Sequence, residues 1–276
     1  MAKHQLETTL KYELYEASVQ DADQQIGVFE QIYTETFKKK PQFLREDFCG
    51  TFLISSEWVK QGPKRRALCI DLDGEPLAVG RKKHFSHLSQ NEQERLQIVQ
   101  SNVLDVRDPK VDLIAACNFS YFVFHSREEL LRYLLGCRES LRKEGVVVLE
   151  TPGGPGFIEV PFEEKRKVSC RLNGDSSVTK FQYRWEHEQY DPISHRAKYN
   201  IHFDLSKKKK FRNVFHYDWR IWTLPELRDC LEEAGFSDMK IYWEVENSDK
   251  HPTGYECRET VGPDWDTWIC YVAGIR

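Results

Sequence analysis

Between residues 9 and 38 the chain (TLKYELYEASVQDADQQIGVFEQIYTETFK) sets apolar side chains at Leu10, Tyr12, Leu14, Val19, Ile26, Phe29 and Ile32. That spacing is nearer the 3.6-residue period of a helix than the two-residue period of a strand, and it predicts two short helices. Short apolar runs and amphipathic stretches then alternate: a strand near 43 to 48, a helix over 52 to 60, strands at 67 to 71 and 96 to 100 with a helix over 75 to 88 between them, and a strand from 111 to 117. Ser126-x-x-Glu129 reads as a capping box opening a helix with Leu130, Leu134 and Leu141 on one side and Gly145 placed to end it. VVVLE, at 146 to 150, follows as a strand of the buried type. Strands and helices alternating at these lengths predict a mostly parallel sheet covered on both faces.

The period changes after the turn-rich TPGGPG at 151 to 156. Phe181, Tyr183 and Trp185, then Tyr199, Ile201, Phe203 and Leu205, then Phe215, Tyr217, Trp219 and Ile221 fall on alternate positions, as the faces of strands do. Asp191-Pro192 and the Lys207 to Lys210 run supply turns, so 160 to 222 is expected to be an inserted antiparallel sheet with one aromatic face. Thr223-x-x-Glu226 caps a further helix through Leu227, Leu231 and Ala234, Gly235 stops it, and 239 to 245 and 267 to 273 close the chain as two strands. The division expected is a helical cap over 1–40, an α/β core over 41–156, the β insertion over 157–222, and a return to the core over 223–276.

Composition narrows the classes. With 40% hydrophobic and 13% aromatic residues in 276, the chain can bury a sizeable core, and a net charge of −4 argues against a general nucleic-acid binder. No window has the ~20 apolar residues of a membrane span, and the polar N-terminal stretch is unlike a signal peptide, so a cytoplasmic protein is expected. The eight cysteines form no C-x-x-C pair and are read as buried thiols, and His84-x-x-His87 as a surface helix pair, with no metal expected.

Residues 44 to 52, LREDFCGTF, sit at the turn between the first strand and the next helix. A dinucleotide fingerprint needs G-x-G-x-x-G there, because the backbone must approach a pyrophosphate closely. Only Gly50 meets that need, which disfavours a nicotinamide oxidoreductase. The strand, the Gly50 turn and the acid ending the next strand resemble the class I S-adenosylmethionine-dependent methyltransferases, motif by motif over about 40 to 150 and more loosely over 223 to 273. That family's loop runs acid-x-Gly-x-Gly-x-Gly, and here it reads Glu46-Asp47-Phe48-Cys49-Gly50-Thr51-Phe52, matching at the acid and the central glycine. LREDFCGT and YDWRIWTLPEL also resemble a bacterial subgroup of these enzymes.

The resemblance implies a Rossmann-like seven-stranded sheet carrying the insertion and the N-terminal helices, with S-adenosylmethionine as cofactor. That ligand has no phosphate, so one close backbone approach at Gly50 suffices. The resemblance assigns Glu46 or Asp47 to the ligand's amino group, Asp71 to the ribose hydroxyls, Asn102 and Val103 to adenine, and Asn118 to the space between cofactor and acceptor, while Arg45 is near enough in sequence to meet the ligand's carboxylate. Asp73 reads as a helix N-cap.

Methyl transfer rests mainly on alignment and exclusion of water, and needs a base only where the nucleophile holds its proton. Tyr121, His202, His216 and Tyr217 are the candidate bases. Tyr121, Trp185 and Trp219 are the candidate acceptor contacts, with Tyr183 and Tyr199 on the same aromatic face. A small-molecule acceptor is expected. A non-catalytic binding protein on the same scaffold, or a methyltransferase acting on tRNA or protein, remains open at this point, as do the acceptor's identity and the oligomeric state.

Overall fold

The computed structural model describes residues 6–172, 177–246 and 252–276. Its centre is an eight-stranded sheet. Five strands are parallel: β1 (Phe43–Asp47), β2 (Arg66–Asp71), β3 (Leu96–Gln100), β4 (Val111–Ala116) and β5 (Leu141–Gly153). The other strands of this sheet come from the end of the chain. In chain order the remaining strands are β6 (Phe162–Cys170), β7 (Thr179–Asp191), β8 (Arg196–Asp204), β9 (Lys210–Arg220), β10 (Asp238–Glu246), β11 (Pro252–Cys257) and β12 (Trp268–Ile275). Across the large sheet the order is β11-β10-β12-β5-β4-β1-β2-β3, with β12, β10 and β11 antiparallel to their neighbours.

Seven strands were expected in this sheet and eight are present among the described residues. The extra one, β11, pairs with the outer side of β10, Tyr242 opposite Cys257 and Glu244 opposite Tyr255. Among the described residues seven α-helices flank the sheets: α1 (Thr8–Val19), α2 (Ala22–Phe37), α3 (Leu53–Lys60), α4 (Gly74–Lys83), α5 (Gln90–Gln93), α6 (Arg127–Ser140) and α7 (Leu224–Glu233). One face of the sheet is closed by α2, α3 and α4 through Phe29, Ile32, Ile54, Trp58 and Leu77. The other is closed by α6 and α7 through Leu130, Leu134, Leu227 and Leu231. The helix ends follow the capping chemistry read from the sequence: Ser126 with Glu129 and Thr223 with Glu226 form complete capping boxes, and Asp73 accepts from the Glu75 amide.

Two expectations about helix ends are corrected. Leu141 does not continue α6; it is extended and already pairs with Val111, and Gly145 lies inside β5 where a three-residue bulge, 142 to 144, faces solvent. The helix expected over 75 to 88 stops at Lys83, and a separate 3-10 turn covers Phe85–His87. Two of the expected buried thiols also differ: Cys257 is exposed and Cys170 half-buried.

The insertion is a four-stranded antiparallel sheet in the order β6-β7-β8-β9. Its apolar face divides in two. Phe181, Tyr183, Ile201 and Phe203 pack on Leu14 of α1, whereas Tyr199, Trp219 and the half-buried Trp185 join the core on the α6 side of the large sheet. The lysine run makes the exposed turn between β8 and β9. No helix among the described residues is long and apolar enough to cross a membrane.

Candidate functional site

β1 lies between β4 and β2, the point at which the strand order reverses, and in open α/β sheets ligands lodge beyond the strand ends at such a point. The loop leaving β1 has an unusual backbone. Phe48, Gly50 and Phe52, the three positions at which the resembled pattern carries glycine, all take positive φ, of 56°, 54° and 49°. A side chain in that region costs roughly 1–2 kcal/mol. Burial offsets the cost: Phe52 is fully enclosed, and Phe48 packs edge-on against Phe124 and at a tilt against Tyr133. Gly50 alone faces open space, since a Cβ added there would meet nothing within 4 Å.

Side chains of a strand alternate, and that decides the fate of the three charged residues of β1. Glu46 points toward α3, where its carboxylate accepts from the Ser55 amide at 2.9 Å and from the Ser55 hydroxyl, and burial pushes its pKa up to about 7. Arg45 and Asp47 share the opposite face. Arg45 is only 1% exposed, and its guanidinium donates to Asp47 Oδ1 (2.6 Å), the Val103 and Val106 carbonyls and the Ser140 hydroxyl. Asp47 also receives the Tyr133 hydroxyl. The expectation that Arg45 meets a ligand carboxylate is therefore corrected: its donors are spent holding the β1, β3 and α6 ends together.

Asp71 closes β2 beside the glycine turn. Its Oδ2 accepts from the Gly50 amide at 2.7 Å and its Oδ1 from the Asp73 amide at 2.9 Å. Burial raises its pKa, against the pull of those two donors, and the group remains half-exposed. Asn102, after β3, turns its Oδ1 to the Leu104 amide at 2.9 Å. The Val103 side chain is in the core, and its carbonyl serves Arg45.

Above this crevice runs α1, tied down by Lys11 and Tyr12 on Glu75 (2.8 and 2.9 Å) and by Glu16, which binds Thr51, Lys83 and His84. His84 is thus enclosed by α1, and only His87 is exposed, which corrects the reading of the two as a surface pair.

Next to the crevice, between the two sheets and the α1–α2 junction, lies a cavity of about 630 Å³. Asn118 lines it, and so do Trp185, Tyr217 and Trp219 from the insertion; Gly50, Asp71 and Asn102 do not. Trp185 stacks on Tyr199 at 4.9 Å and 12°.

Three candidates lie elsewhere. Tyr121 has no exposure, and its hydroxyl is bonded to Thr151 at 2.8 Å inside the core. His202 and His216 alternate with the cavity-facing Ile201 and Tyr217, so they project from the outer face of the insertion, bonded to Glu186 and Asn200.

Residues that sequence reasoning passed over supply much of the cavity's polarity. Glu150, at the end of VVVLE, is 9% exposed and accepts from the Asn118 amide (2.5 Å) and the Tyr271 hydroxyl (3.1 Å), and burial raises its pKa. A charged residue ending so apolar a run was the available signal. His187 continues the alternation Phe181, Tyr183, Trp185 and was legible on that ground; burial lowers its pKa. Tyr15 of α1 lines the same wall.

The residues present fit S-adenosylmethionine. The crevice has an open space over Gly50 for a backbone approach, a carboxylate at the β2 end, an amide side chain after β3, and one glycine where a pyrophosphate would need several.

No protein-family model and no curated protein sequence matches the chain. Solved structures do. It is similar to S-adenosylmethionine-bound CalS10, an amino pentose methyltransferase from Micromonospora echinaspora (TM-score 0.67, 12% identity, covering 100% of both chains). It is also similar to an S-adenosylmethionine-dependent methyltransferase from Clostridium acetobutylicum (0.64, 16%, 95% of this chain and 96% of that one). A third is the sugar N-methyltransferase KedS8 from a Streptoalloteichus species (0.63, 15%, 96% and 92%). At these identities, what the chain shares with them is the fold of a class I methyltransferase.

Proposed function

We propose that the chain is an S-adenosylmethionine-dependent methyltransferase acting on a small-molecule acceptor. The observation that carries this reading is the Asp71 carboxylate at the topological switch point, beside the open backbone of Gly50 and next to a half-open cavity. Asp71 would hold the ribose, the backbone of the Gly50 turn the amino-acid end in place of the Glu46 and Asp47 carboxylates, which are buried on Ser55 and Arg45, and Asn102 the adenine. The cofactor supplies a methyl carbon made electrophilic by its sulfonium. Asn118, on the cavity wall, marks the junction at which acceptor and methyl group meet.

The chain's own contribution is positional. Phe119, Trp185 and Trp219 wall the cavity against water and hold the acceptor in line, the main source of rate for a displacement of this kind. A cavity of this size suits a small molecule rather than a polymer, and two of the similar structures act on an amino pentose and a sugar. Calorimetry with S-adenosylmethionine, its demethylated product and NAD tests the reading. The first two should bind and the third should not; binding of NAD alone would overturn it.

A further inference from the structure

We propose that Glu150 makes the cavity a site for an amine that docks in its ammonium form, passes one N–H proton to the Glu150 carboxylate, and attacks the methyl carbon with the lone pair so freed, leaving a methylammonium and the neutral thioether of the cofactor. This inference rests on the methyltransferase reading above. Glu150 stands at the cavity wall with its Oε2 on the backbone amide of Asn118, which follows the end of β4, the strand beside β1. Its partners are that amide, the Tyr271 hydroxyl and the Gln25 side chain, all neutral, and no cationic side chain among the described residues pairs with it. A buried carboxylate without a counter-charge is costly, and a bound cation relieves that cost where a neutral alcohol does not. Three donors leave room at the carboxylate for another.

The surroundings favour the same charge. The rim adds Asp21, Glu164 and Glu244 against a single arginine, Arg166, whose guanidinium donates to the Ser18 carbonyl and lies over the Tyr183 ring. Phe119, Trp185, Tyr217 and Trp219 offer aromatic surface to a cation.

A second, independent group points to a ligand. His187 is 4% exposed and lines the cavity; its Nδ1 lies 3.0 Å from the Glu159 carbonyl. A carbonyl can only accept, so Nδ1 carries the proton and Nε2 presents a lone pair, for which no protein partner is found among the described residues. The acceptor therefore also carries a hydrogen-bond donor, such as a hydroxyl, on the side away from the nitrogen.

Titration calorimetry without cofactor, using D-glucosamine, D-glucose and cyclohexylamine as probes, tests this. Glucosamine should bind at least about tenfold more tightly than glucose, the increment of one charge-assisted contact. Glu150→Gln should abolish that preference, and His187→Phe should weaken glucosamine but leave cyclohexylamine unchanged. Equal binding of glucosamine and glucose, no measurable binding of either amine, or a preference that survives Glu150→Gln would each overturn the proposal, and the first two need no variant. Binding of S-adenosylhomocysteine is measured alongside. Its absence would bring down the methyltransferase reading, whereas an amine preference read without cofactor stands or falls separately.

Discussion

Replacing Asp71 by alanine removes an acceptor that the protein uses before any ligand arrives. Two backbone amides, Gly50 at 2.7 Å and Asp73 at 2.9 Å, converge on its carboxylate and fix the glycine turn to the start of α4. Hydrogen bonds to a charged group contribute about 1.5–3 kcal/mol each in sheltered sites, but Asp71 is half-exposed and water replaces part of the loss. The unliganded variant should lose about 1–3 kcal/mol of stability. A strand-end acid facing solvent would have lost almost none.

Affinity for S-adenosylmethionine should fall further, roughly tenfold to several hundredfold, because the ribose hydroxyls would lose the same acceptor. Linkage separates the two losses. Ligand at about 100 times its Kd adds roughly 2.7 kcal/mol to the unfolding free energy, and a hundredfold weaker site at that concentration adds roughly 0.4. Urea unfolding with and without ligand, together with calorimetry, reads both numbers. Asp71→Asn sharpens the test, since its amide nitrogen cannot accept and leaves one loop N–H facing another donor, so it should destabilise the unliganded protein much as alanine does. An alanine variant that loses stability but keeps the full ligand increment would confine Asp71 to holding the loop and refute its place in the site.

Arg45→Ala should cost about 3–5 kcal/mol by leaving Asp47 charged and buried without its partner, while any folded protein keeps its cofactor affinity; a stable variant with lost affinity would return Arg45 to the site. Glu46 gives a pH signature in urea unfolding. Its pKa rises from the ordinary 4.5 to about 7 in the fold, so between those values the folded state keeps a proton that the unfolded chain releases, and its contribution to stability falls by roughly 3 kcal/mol as pH rises. Glu46→Gln should flatten that decline, and an unchanged slope would show the carboxylate to be ionised throughout. Trp219→Ala should cost about 3–5 kcal/mol, since its ring is 4% exposed and packed on Phe119 and Phe122. Trp185→Phe keeps a ring on Tyr199 and should reduce methylation while sparing cofactor binding, which labelled-methyl assays and calorimetry read separately.

The parallel core was legible because its signals are local: apolar runs of strand length, capping boxes at Ser126 and Thr223, and the acid ending β2. β11 was not, because PTGYEC has neither an apolar run nor alternation and becomes a strand only by pairing along β10. Leu141 kept the helical period of Leu130 and Leu134 and was lost to a contact with Val111, thirty residues earlier. For the site, spacing located Asp71 and Gly50 but could not say which way side chains turn. Arg45 and Asp47, two apart on a strand, had to share a face, and that alternation was the overlooked sign that they would meet each other. Glu16 and His84 lie sixty-eight residues apart and meet only because α1 folds back over α4.

The turn after β1 also shows how a fingerprint can be erased while its shape survives. Phe48 and Phe52 hold the left-handed conformation that glycine adopts freely, and they do so because their rings are anchored in the two cores flanking the sheet. Each half of the arrangement is useless alone: a phenylalanine here without a cavity for its ring would break the turn, and a glycine here beside that cavity would leave a void. Exchange between the two solutions therefore has to pass through a weakened intermediate or through concerted repacking of residues such as Phe124 and Tyr133. Chains on either side of that barrier would share a ligand geometry yet look unrelated to any search that counts glycines.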